Sequence, residues 1–77
     1  MLDLPDDDDW LTDRRRTIGQ RIRAERLRQN ATQDQLWQAA RIDRRTLQHA
    51  EAGHEVKLGT LLRIAHVLGV PLSDLVR

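Results

Sequence analysis

Cysteine is absent from the 77 residues, which excludes a disulfide framework and any Cys-ligated zinc site. Phenylalanine and tyrosine are absent too, and two tryptophans supply all the aromatic surface. A core must then be built from Leu, Ile, Val and Ala, which suits packed helices better than a β-sandwich. No apolar run approaches the roughly 18–20 residues of a membrane span, and the first residues are acidic where a secretory leader would be basic. The expectation is a cytoplasmic protein without membrane contact. The histidines at 49, 54 and 66 lack metal-ligand spacing, and Asp6–Asp9 reads as a solvated run, so no metal is expected. No nucleophile elbow, phosphate-cradling glycine loop or paired carboxylate is visible. The chain reads as a non-enzyme with no cofactor and no small-molecule substrate.

What is present is charge, unevenly placed. The formal net charge is only +1, yet residues 1–13 hold six Asp and no Lys or Arg, and the remainder carries 13 basic side chains against six acidic ones. Twelve of the 13 are Arg, whose planar fork of donors suits phosphate and guanine. A basic body behind an acidic tail points to a polyanionic partner. The length allows one domain with a single small core. Residues 1–11, with Pro5 and a run of Asp but no period, are expected to form a disordered acidic arm, and residues 12–77 the folded domain. Two readings of the arm stand side by side: a weak electrostatic competitor of nucleic acid for the basic body, anchored by burial of the Trp10 ring against the first helix, or a solubilising tail with no further role.

From Thr12 the pattern turns helical, with Thr12 or Asp13 as cap and Ile18, Ile22 and Leu27 as the apolar positions; the helix should end near Gln29, with Asn30 in the left-handed conformation. Thr32 and Gln35 have capping-box spacing. They open a short helix over about 33–40, with Leu36, Ala39 and Ala40 facing inward. Arg41-Ile42-Asp43 reads as a turn, and Asp43 as the cap of a third helix that runs to Glu51 or Ala52 and stops at Gly53. A polar loop over 53–57 leads to a fourth helix, Leu58 to Leu68, stopped by Gly69. Pro71 starts a last short helix with Leu72, Leu75 and Val76. Leu47 and Ala50 facing the core would leave Arg45, His49 and Ala52 outward, with Gln48 on the flank.

Two short helices joined by a three-residue turn have helix-turn-helix spacing. The stretches Ile18–Arg23, Thr32–Leu36, Asp43–Leu47, Glu51–Gly53 and Thr60–Leu72, in that order, resemble the phage repressor and Cro-type helix-turn-helix domains of bacterial regulators. The resemblance implies an all-α, compact five-helix domain whose second and third helices form the helix-turn-helix. It implies a sequence-specific transcriptional regulator of double-stranded DNA, most simply a repressor, that places its third helix in the major groove. Arg44, Arg45, Gln48 and His49 become the base readers, and Gln33, His54 and Lys57 the phosphate contacts. Arg26 and Glu51 stand where the family places a structural ion pair between the first helix and the end of the third. A homodimer through the C-terminal helices is expected, because Leu58, Leu72, Leu75 and Val76 exceed what so small a core covers. The alternative is a protein-interaction module on the same framework, a toxin-binding antitoxin or a transcription-machinery partner, with weak or no DNA binding. Four residues depart from the family pattern: Arg41 replaces a turn glycine, Glu25 a usual Leu, and Trp37 a small residue, while Ala50 is smaller than usual. Trp37 is expected either to fill the volume left by Ala50 or to turn towards the first or fourth helix. Arg14, Arg15 and Arg16 could screen the acidic arm, extend the phosphate-binding surface or be solvated, and solvation is the first expectation.

Overall fold

Helical periodicity becomes five α-helices in the computed structural model, which describes residues 2–77: α1 Asp9–Arg28, α2 Gln33–Ala39, α3 Arg44–Glu51, α4 Leu58–Leu68 and α5 Leu72–Val76. No strand occurs among the described residues. Met1, part of the expected arm, lies outside them.

The first helix starts at Asp9 rather than at Thr12, with the amides of Leu11 and Thr12 bonded to the Asp8 carbonyl. Leu11, on this added turn, is half-buried and lines a cleft with Arg15, Ile18, His54, Val56 and Leu61. Asp9 sits in the first turn, where a carboxylate complements the helix dipole. Thr12 and Asp13, the expected caps, lie inside the helix. Trp10 does so too, and its ring is exposed instead of buried. Residues 2–8 carry no regular secondary structure.

The core comprises Ile22, Leu36, Leu47, Ala50, Ile64, Ala65, Leu68 and Leu75, with Ile18, Trp37, Ile42, Val56, Leu61, Val70 and Val76 packed around it. Two expected core positions are exposed: Leu27 and Ala39. On α1 the row Ile18, Ile22 continues at Arg26, four residues on, so Leu27 is turned about 100° away. On α2 the inward row is Leu36 and Ala40, which leaves Ala39 on the rim. At the C-terminal end Leu75 is buried, and Leu72 and Val76 are half-buried, so α5 leaves little apolar surface free. Exposed apolar side chains lie on α4, at Leu58, Leu62 and Val67, and also at Leu2, Leu4, Trp10 and Leu27.

Each of the four longer segments ends in the same way. The chain leaves α1, α2, α3 and α4 through a left-handed residue at Asn30, Arg41, Gly53 and Gly69. The next amide reaches back to the last turn, as in Ala31 to Arg26, Ile42 to Trp37, His54 to His49 and Val70 to Ala65. Arg41 adopts φ 56° in place of the family's glycine. Its main-chain N–H bonds the Gln38 carbonyl at 3.2 Å, so the turn keeps its shape at a cost of about 1 kcal/mol.

Gly19 sets the distance between α1 and α3. A Cβ there would come within 2.6 Å of the carbonyl oxygens of Ala50 and Glu51. The small Ala50 therefore belongs to this close approach of two helix backbones. Glu25 is held by Arg28, with both contacts at 2.6 Å, and that partner lowers its pKa from the usual carboxylate value.

Of the three arginines expected to be solvated, Arg14 and Arg16 are exposed and Arg15 is half-buried. Arg14 donates to the carbonyl of Val76 at 2.8 Å, and Arg21 to the carbonyls of Leu75 and Arg77, so both tie α5 to α1 through carbonyls at its C-terminal end. Arg16 pairs with Asp13 at 3.5 Å. The Nε of Arg15 is buried without a partner among the described residues.

Candidate nucleic-acid interface

Two caps fix the helix pair. The Thr32 hydroxyl accepts the Gln35 amide N–H at 3.0 Å, while the Gln35 side chain accepts the Thr32 N–H at 2.9 Å. Asp43 accepts the Thr46 N–H at 2.7 Å at the start of α3. The hydrogen bonds of Thr46, by side chain and backbone, and the nearby Arg45 and His49 lower the Asp43 pKa from its ordinary value. Leu47 and Ala50 are buried, which fixes the rotation of α3.

That rotation leaves Arg44, Arg45, Gln48 and Ala52 exposed and His49 half-buried. Arg45 and Gln48 take part in no ion pair or side-chain hydrogen bond among the described residues. Arg44 is engaged: its Nη2 lies 3.4 Å from Asp34 Oδ1, and its guanidinium stands over the Trp37 ring at 5.9 Å from the centroid. His49 packs beside His54, ring centroids 4.9 Å apart and tilted by 48°.

Behind this surface sits an enclosed ion pair. Arg26 Nε and Nη2 donate to Glu51 at 2.7 and 3.0 Å, and Arg26 Nη1 donates to the Ala31 carbonyl at 2.9 Å. The side chains are 7% and 4% exposed, so water does not screen them and a lost partner would strand a buried charge. Gln33, the first residue of α2, donates to the same Glu51 carboxylate at 3.1 Å. One carboxylate thus joins α1, α2 and α3, and it holds Gln33 in place at the start of α2.

Lys57 is exposed at the start of α4. It shares a shallow depression with Thr46 and His49 of α3 and with Thr60. His54 is exposed in the loop, with its ring beside that of His49. The structure thus brings Lys57 beside α3, ties Gln33 to its C-terminal end and ties Arg44 back to α2.

Asp34 and Trp37 were not singled out from sequence as functional. They stand three residues apart on one helix, so their spacing places them on one face of α2. Their link to Arg44 crosses the turn and has no local signature. Gln33 to Glu51 spans 18 residues and is likewise unreadable from spacing.

Among the described residues, no three His, Asp or Glu side chains converge to hold a metal ion, and no helix is long and apolar enough to cross a membrane. A helix-turn-helix family model matches residues 22–75, beginning inside α1 and spanning α2 to α4 and most of α5. A comparison with curated proteins found no match.

Proposed function

The chain belongs to the phage repressor/Cro-type helix-turn-helix family of DNA-binding regulators, and from that membership we propose that it binds double-stranded DNA sequence-specifically and represses transcription in the cytoplasm. The observation that carries the reading is the state of α3. Its inner face is buried at Leu47 and Ala50, and its outer face offers Arg45 and Gln48 without side-chain partners among the described residues.

In this reading α3 lies in the major groove. Arg45 bonds guanine O6 and N7, and Gln48 is suited to adenine N6 and N7. Arg44 and His49 complete the base-reading set from positions already engaged within the protein. Gln33, Lys57 and His54 contact phosphates and set register, with Gln33 aimed by Glu51. One domain of this size makes few base contacts. The protein therefore binds as a homodimer on a two-fold operator, with half-sites about one helical turn, ~34 Å, apart. The apolar surface available for that dimer is on α4, at Leu58, Leu62 and Val67.

Selection from random duplex DNA tests the proposal. The expected result is a two-fold symmetric motif whose affinity falls steeply with salt, since phosphate contacts release counterions. Recovery of no motif, with weak binding that salt does not alter, would overturn it and favour a protein partner for this surface.

A further inference from the structure

Asp34, Trp37 and Arg44 form a linked group on the outer side of the α2–α3 seam. Asp34 Oδ1 accepts the indole N–H of Trp37 at 2.9 Å and stands 3.4 Å from Arg44 Nη2. The guanidinium lies over the indole, 5.9 Å from the ring centroid. Trp37 is packed against the core cluster, so its ring is a fixed platform. Arg44 is the first residue of α3, next to Asp43 and the turn.

An unrestrained arginine side chain loses much rotamer freedom when it binds a base. Here the aromatic face and the carboxylate hold one guanidinium from two sides. The guanidinium carries five N–H donors in a planar fork. Asp34 engages one nitrogen and Trp37 covers a face, which leaves donors along the fork for the paired acceptors of guanine. From this geometry we infer that Asp34 and Trp37 are positioning residues that set Arg44 as a guanine-specific reader. The inference rests on the DNA-binding reading above and adds to it a specificity device contributed by α2.

Asp34 has a second, opposed effect. As an exposed carboxylate beside the proposed interface it repels phosphate, so it disfavours binding to random sequence. The side chains of Arg44 and Asp34 are 60% and 59% exposed, so each link is solvent-screened and its effect is modest.

The test compares wild type, Asp34→Asn, Trp37→Phe, Arg44→Ala and the Asp34→Asn/Arg44→Ala double variant. Base preference is read from duplex selection, and affinity is measured for random-sequence duplex. Wild type should prefer guanine at one position of each half-site, and Arg44→Ala should lose that preference. Asp34→Asn and Trp37→Phe should weaken it by about two- to five-fold, the size of an exposed ion pair or cation–π contact. In the Arg44→Ala background Asp34→Asn should not change base preference further. Asp34→Asn should bind random duplex more tightly than wild type, whereas a merely structural loss would weaken both kinds of binding.

An unchanged guanine preference in Asp34→Asn, or an equal change in the Arg44→Ala background, overturns the inference. A DNA-free measurement separates its failure from that of the DNA-binding reading. The Trp37 indole N–H proton resonance, assigned by its loss in Trp37→Phe, should shift in both Asp34→Asn and Arg44→Ala. If it shifts in neither, the group does not form in solution, whatever the protein binds. If it shifts but wild type selects no DNA site, the functional reading fails and the inference with it.

Discussion

Asp43 ties the start of α3 to the turn with a single carboxylate. Its bond to the Thr46 N–H is 2.7 Å long, and hydrogen bonding with Thr46, followed by the positive Arg45 and His49, holds its pKa below the ordinary 3.8. A folded-state pKa below the unfolded value means stability that is present above the unfolded value and lost as pH falls through the folded one. Asp43→Ala should therefore melt below wild type at pH 7, and the gap should narrow as both are taken below about pH 4. Thermal melts over that range check this; a gap that stays constant down to pH 2 would show that the carboxylate charge is not what stabilises α3. The turn before it illustrates what a residue type can reveal. Asp43 and the Thr32/Gln35 pair are legible as caps because their chemistry is local, within three residues. Asn30 is legible as a left-handed stop for the same reason. Arg41 adopts φ 56° without the side-chain compensation that Asn provides, and only the family pattern points to that conformation.

At the scale of elements, the contacts that decide helix placement are between helices far apart in sequence. Gly19 permits α1 and α3 to meet backbone to backbone, and a methyl group there would have to displace main-chain carbonyls. Gly19→Ala should destabilise the domain severely, by about 2 kcal/mol or more, because the atoms that it meets are main chain and cannot move independently. Denaturant unfolding measures it, and an unchanged midpoint would contradict the close approach. Arg26→Ala removes one partner of a pair that is 7% and 4% exposed. Such a loss costs about 3–5 kcal/mol, and it also releases Gln33 from Glu51. The expected result is a large drop in melting temperature; a shift of only a degree or two would show the pair to be dispensable. The helix order and most helix ends could be read from periodicity and stop residues, and the bounds of α4 agree with the sequence reading. The start of α1 could not, because the cleft that Leu11 lines is shared with His54, Val56 and Leu61, which only the fold brings to it. Arg14 and Arg21 are similar: nothing in their spacing shows that the carbonyls of Val76, Leu75 and Arg77 will need donors.

At the scale of the molecule, charge is divided between an acidic beginning and a basic body. Leu11, three residues after Asp8, lines one cleft with His54 and Val56. The Debye length at physiological ionic strength is ~8 Å, and a few extended residues at ~3.3 Å each cover more than that. The segment that carries Asp3, Asp6 and Asp7 is therefore long enough to span a Debye length from the start of α1. Deleting residues 2–7, which spares the Asp8 cap, should tighten binding to random-sequence duplex at low salt and change it little at high salt. Equal affinity before and after deletion at low salt would mean that the acidic residues do not act on the interface.

The central claim is that the outward face of α3 reads DNA. The most direct measurement is the affinity of wild type and Arg45→Ala for a selected duplex across a salt series, with melting temperature monitored in parallel. Log affinity should fall linearly with log salt for both proteins. Arg45→Ala should be weaker by about 1–3 kcal/mol at each salt, with an unchanged fold. Equal affinity of the two proteins, or affinity indifferent to salt, would contradict it.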